Sequence, residues 1–184
     1  MEVVPMKSKN IVLLLSITLI MLAVSGCTDP GVGEEETEIN VSNMVVLEEI
    51  PTGFEYLGVR ELSMDKVLDG CCNESDFVEA SQGIYKGNDF DVSVTTIETP
   101  SEDGAENLVN SYKATFPPLA IGNRFVEESI NDHFATRIVW YVTEKGTSVE
   151  RYAYVWNNGS YVFQIRGATS DPLVLKEFAE ATGY

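Results

Sequence analysis

Three cysteines, a single histidine and one pair of arginines are the residues of this 184-residue chain with the chemistry to act. Cys27 closes the string Leu22-Ala23-Val24-Ser25-Gly26-Cys27. Small residues that end an apolar run and lead straight into cysteine read as a lipobox. There the thiol accepts lipid and the cysteine becomes the first residue of the processed chain. Cys71 and Cys72 are adjacent. They can bond to each other, link two chains or stay as thiols, and a reversible bond would make them a redox centre. No further Cys or His lies near them, so the spacing of a metal site is missing. His133, in Asn131-Asp132-His133-Phe134, has no Ser or Cys motif beside it. A general base needs partners in hydrogen-bond reach, so His133 reads as structural. Asn88-Asp89-Phe90-Asp91 offers oxygens to calcium, yet without the rest of a calcium loop it reads as a turn. Arg151 and Arg166 form a fork for carboxylates if neighbouring strands bring them together, and Trp140 would supply an aromatic wall. That is a candidate anion or acidic-peptide site.

The elements that must position this pair are legible from periodicity. Phe134 to Thr143, Ser148 to Trp156 and Tyr161 to Arg166 predict a three-stranded meander. A two-residue turn at Asn158-Gly159 sets Trp156 opposite Tyr161, Tyr154 opposite Phe163 and Tyr152 opposite Ile165. In that register Arg151 lies directly opposite Arg166. Like charges so placed need neutralising, either by acidic side chains or by a ligand. A turn at Lys145-Gly146 adds Val139 and Tyr141 to the aromatic face, which reads as almost wholly apolar core. The other face carries Trp140, Val142, Val149, Arg151, Ala153, Val155, Gln164 and Arg166, a mixed set to be covered in part.

Upstream, Phe54 to Leu62 predicts a first strand, and Ser63 to Asp69 a short helix stopped by Gly70. Gly83 to Lys86 and Phe90 to Thr96 predict a hairpin across Gly87-Asn88-Asp89. Ser101 caps a helix through Phe116, with Glu102 and Asp103 in the first turn where the helix dipole favours anions. Ala105, Leu108, Val109, Tyr112 and Phe116 share one face at helical spacing. Asp171-Pro172 opens a closing helix that ends at Gly183. Strands and helices in this order predict an α+β fold: an antiparallel sheet with helices packed on it.

The N-terminal segment predicts export. Met6-Lys7-Ser8-Lys9 is a basic n-region, and Glu2 is out of place in one, which points to a start at Met6 rather than Met1. Ile11 to Val24 is an apolar run of about 14 residues, which suits a signal peptide rather than a membrane span of roughly 20. Three regions follow: a lipoprotein signal peptide over 1–26, an acidic linker over 27–44, and one α+β domain over 45–184. Glu34-Glu35-Glu36 and Glu38 make the linker self-repelling and extended. The expected location is the outer face of the cell membrane, held through the lipid on Cys27. Twelve Lys and Arg against 29 Asp and Glu give a formal net charge of -17. That excess argues against a nucleic-acid partner, whose phosphates attract basic surfaces. Three Asn-x-Ser sequons, at Asn40, Asn73 and Asn158, are acceptor motifs for N-glycosylation on an exported chain.

No nucleophile elbow, zinc-protease helix, phosphate loop or dinucleotide fingerprint occurs in the sequence. No catalytic residue, metal or cofactor is therefore assigned, and the chain reads as a non-enzyme. The expected role is a surface-tethered binding or assembly module with a protein or small-ligand partner. An exported enzyme or thiol-redox protein using Cys71-Cys72 is the alternative.

Four strings resemble uncharacterised lipoproteins of methanogenic archaea. They are Pro51-Thr52-Gly53-Phe54-Glu55, Ala135-Thr136-Arg137-Ile138, Tyr152 through Gly159, and the terminal Leu175 through Tyr184. The resemblance spans most of residues 51–184 and carries no chemistry with it. The order of elements is similar to the sandwich of the PsbP and Mog1 type. That likeness implies binding or assembly rather than turnover, by analogy of fold alone.

Overall fold

A computed structural model describes residues 40–71, 73 and 76–184. The expected signal segment, Cys27, most of the expected acidic linker and Cys72 lie outside the described residues. The described residues form seven strands: β1 (Glu55–Glu61), β2 (Glu79–Lys86), β3 (Asp91–Glu98), β4 (Phe125–Ile130), β5 (His133–Glu144), β6 (Thr147–Asn158) and β7 (Tyr161–Gly167). They form one open antiparallel sheet in the order β1-β2-β3-β7-β6-β5-β4. Helices α1 (Val41–Met44), α2 (Glu102–Ala114) and α3 (Pro172–Ala181) pack on it, as the α+β reading expects.

Turn chemistry sets the register. Lys145 and Gly146 both have positive φ (49° and 82°), the type I′ requirement, and pair Glu144 with Thr147. The β6–β7 turn differs from expectation. It is centred on Gly159-Ser160, with Asn158 opposite Tyr161 and Trp156 opposite Phe163. Only Gly159, the first central residue, has positive φ (55°), which is the type II′ pattern. The strands are thus displaced by two residues from the expected pairing. An even displacement keeps every side chain on its expected face.

The strand β4 escapes the periodicity, since Phe-Val-Glu-Glu-Ser-Ile does not alternate cleanly. Its signal lies in the turn instead. Asn131 and Asp132 both take positive φ (47° and 64°), which these two residue types tolerate, and reverse the chain into β5. The expected helix over 63–69 is a 3₁₀ segment, Met64–Gly70, broken inside: Val67 is extended, and Leu68 and Asp69 are left-handed.

One face of the sheet carries α1 and α3. Its core joins Tyr85, Val92, Val94, Tyr154, Trp156, Phe163 and Ile165 to Leu175 and Phe178. Asp171 caps α3, its carboxylate accepting from the Leu173 N–H at 3.0 Å. Phe178 meets Phe54 and Tyr85 edge-on, at 4.9 and 5.2 Å between centroids. The domain also begins earlier than expected. Val41 and Met44, assigned to the linker, are buried in this core. The Tyr85 hydroxyl holds the segment that follows them, donating to the Val45 carbonyl and accepting from the Leu47 N–H, both at 2.8 Å.

The second face carries α2 and the 3₁₀ segment. Ser101 caps α2 through the Gly104 N–H at 3.1 Å. Ala105, Leu108, Val109 and Tyr112 then pack on Ile97, Ile138, Val155 and Val162. Where α2 ends, this face stays open.

Candidate functional site

The open part of the second face is a trough of about 620 Å³. Strand alternation builds it. Inward positions on six strands supply Arg60 and Gln82 on one side, Ser93 and Arg166 in the middle, and Arg151 and Trp140 on the other. All three residues expected to form an anion site therefore line one trough. The expected contact between the arginines is corrected by the displaced register: Arg166 lies opposite Ala153, and Arg151 opposite Trp140. They are diagonal neighbours rather than a direct pair.

Each guanidinium has its own setting. Arg151 is buried, with 8 % of its surface exposed. It donates to the Glu144 carboxylate and, at 2.9 Å, to the Glu150 carbonyl. Arg166 reaches across β6 to lie 5.0 Å over the Trp140 ring. The path crosses β6 diagonally between Ala153, opposite Arg166, and Arg151, opposite Trp140, and the small side chain of Ala153 leaves it room. Such a cation over an indole is worth about 0.5–1 kcal/mol when exposed and more when desolvated. Phe116 backs the indole at 6.1 Å.

Arg166 also donates to the Asp69 carboxylate at 2.5 Å. Asp69 comes from the broken 3₁₀ segment, where Leu68, Asp69 and Gly70 are left-handed in succession. Left-handed backbone is unfavourable for Leu and tolerated by Asp and Gly. Burial of Leu68 holds the segment in place. Asp69 remains well exposed, so this ion pair contributes little to stability. Tyr112 of α2 stands behind the pair. Burial pushes its hydroxyl up to about 12, Arg166 opposes that rise, and Asp69 adds to it.

Arg60 was not singled out by spacing, because the residues that carry its neighbours, Glu79 to Gln82, fall outside the expected hairpin. It sits on edge strand β1 and gives both Nε and Nη2 to the Gln82 carbonyl oxygen, at 3.0 and 2.6 Å. Gln82 passes the chain on to Thr95 at 2.9 Å. Among the described residues no carboxylate lies within ion-pair distance of Arg60.

The remaining candidates are scattered. Cys71 is disulfide-bonded, and Cys72 lies outside the described residues. His133 starts β5, its ring 3.3 Å from the Asn158 amide. Asn40 caps α1 by accepting from the Ser42 N–H at 2.8 Å, and Asn73 is exposed. The aromatic face is less apolar than expected at its β4–β6 edge. Tyr152 and Tyr141 both donate to Glu150, while Arg137 and Tyr154 donate to Glu128. Tyrosine at an inward strand position brings a hydroxyl that needs an acceptor, and that was the signal for this network. No family model, curated protein or solved structure matches the chain.

Proposed function

We propose that this chain is a lipid-anchored binding or assembly module on the outer face of the cell membrane, and that the trough holds an anionic group of its partner. The lipobox at Cys27 supports the anchor, and the acidic linker supports a domain held off the surface. The resemblance to methanogen lipoproteins and to the PsbP and Mog1 sandwich supports binding over turnover. One observation carries the trough reading: Arg166 holds a carboxylate while stacked on Trp140, with Arg151 a diagonal neighbour. A rigid sheet positions all three, so little ordering is needed when a ligand arrives.

Trp140 supplies the test. Titrating the chain with acetyl-glutamate amide should change the Trp140 emission, and the double variant Arg151→Ala, Arg166→Ala should abolish the change. A response that survives in the double variant would remove the trough from consideration. For the anchor, lipid labelling should disappear in Cys27→Ser. Labelling that persists would place the attachment elsewhere.

The thiol-redox alternative rests on the bonded state of Cys71. Equilibration against glutathione buffers decides it. A bond that stays closed across the whole range is structural, whereas reversible opening within it supports redox work.

A further inference from the structure

We infer that the trough takes an extended peptide carrying two acidic side chains, one held by Arg166 beside Trp140 and the other by Arg60. The inference rests on the anion reading above and names the ligand class.

Three facts lead to it. First, the trough gathers three arginines on an acidic chain. Arg60, Arg151 and Arg166 line it against Asp91 and Glu144, while the whole chain carries -17. Glu144 is taken by Arg151, and Asp91 faces Lys86 directly across β2–β3. Second, the Arg166 subsite already holds a carboxylate of the right kind. Asp69 sits there on an exposed, left-handed turn, as a ligand side chain would. Third, Arg60 is a guanidinium whose hydrogen bonds go to a neutral amide, and among the described residues its charge has no counter-ion within ion-pair distance.

Spacing separates a peptide from a small dianion. β1 and β7 are separated by β2 and β3, and Arg166 lies two residues along from the row of Arg60. Three strand spacings across and two residues along put the two α-carbons roughly 16 Å apart. Two glutamates four residues apart on an extended peptide span about 13 Å, and their side chains cover the rest. A compact dicarboxylate or phosphate cannot reach both arginines at once. The floor between them mixes apolar and polar side chains, with Ile84 directly opposite Ser93, which suits a peptide's side chains and amides.

The experiment is titration calorimetry of the full-length chain with blocked peptides. The probes are Glu-Ala-Ala-Ala-Glu, the two single-glutamate versions, Glu-Ala-Glu, and inorganic phosphate. The five-residue peptide with two glutamates should bind at least about tenfold tighter than the rest, as one added charge-assisted contact of 1.4 kcal/mol gives. Arg60→Ala should erase that advantage, so that the two-glutamate peptide binds no tighter than the single-glutamate ones. Arg166→Ala should weaken every peptide. If one and two glutamates bind alike, or Arg60→Ala weakens both alike, the two-ended site is wrong and the anion site stands. Phosphate binding as tightly as the peptide overturns the peptide class. If no acidic probe binds, the anion reading falls with it.

Discussion

The two faces of the sheet obey one alternation rule and reach opposite ends. On the α1/α3 face, aromatic residues of β2, β6 and β7 are met by Phe178 and Leu175, and the space closes. On the α2 face the helix covers Ile97, Ile138, Val155 and Val162 and then stops at Ala114. The rows beyond carry Arg60, Arg151, Arg166 and Trp140, side chains that a helix could not bury without stranding charge. One face therefore spends its side chains on cohesion, and the other leaves a polar trough on the same rigid sheet. Binding surface arises here where the covering layer runs out.

The sharpest way to break this contrast is to empty each face in turn. Phe178 is fully buried between Phe54 and Tyr85, so Phe178→Ala should cost about 3–5 kcal/mol in urea unfolding. Trp140→Ala removes a larger ring from the open face, yet it should cost only about 1–2 kcal/mol, because the indole is only partly buried, between one guanidinium and the tilted ring of Phe116 at the margin of the second cluster. Equal costs would mean that the trough wall is core.

A smaller effect tests how Arg166 reaches the indole. Ala153→Leu puts a branched side chain in the path across β6. It should cost about 1–3 kcal/mol by overpacking. It should also shift Trp140 emission towards that of an Arg166→Ala variant. An unshifted spectrum would show that Arg166 needs no such gap.

These contrasts also mark what could be read in the sequence. Both faces were legible, because β6 and β7 alternate strictly and an even register error leaves faces intact. Pairing was less so: Asn158-Gly159 and Gly159-Ser160 each suit a two-residue turn, and only backbone φ separates them. For that reason Arg151 and Arg166 belonged to one site in either register, but not as direct partners. The Asp69–Arg166 bond joins residues 97 apart in sequence through three left-handed residues, a geometry that no local pattern announces. Val41 and Met44 looked like linker since their burial depends on Tyr85, some 40 residues on.

Asp69 gives the next test. Asn tolerates left-handed backbone as well as Asp does, so Asp69→Asn keeps the turn and removes the competing charge. An exposed ion pair of this kind is worth at most about 1 kcal/mol, so stability should hardly move. Affinity for acetyl-glutamate amide should rise about two- to fivefold, the ratio such an energy allows. A variant that binds more weakly would mean that Asp69 helps to build the site rather than filling it.

The smallest effect concerns the edge of the closed face, where tyrosine and carboxylate replace hydrocarbon. Tyr152 donates to Glu150, and that bond, more than burial, pushes its hydroxyl from 10.0 up to about 12. Glu150 is held below the usual carboxylate range by Tyr152 first and Tyr141 second. The signs differ. A lowered carboxyl gives stability that is present above its unfolded value and lost as pH falls through the folded one. A raised hydroxyl gives stability that is present below pH 10 and lost as pH climbs towards 12. Tyr152→Phe removes both contributions together. Its urea midpoint should therefore run parallel to the wild type between about pH 6 and 9, with the gap narrowing at acid and alkaline pH. Other buried tyrosines titrate in the alkaline range too, and the difference between the two curves cancels them. The trough offers the control. Arg166→Ala disturbs a pair that contains no tyrosine hydroxyl, so its gap should not narrow above pH 9. If both variants narrow alike at high pH, the alkaline loss belongs to the whole sheet and not to the hydroxyl of Tyr152.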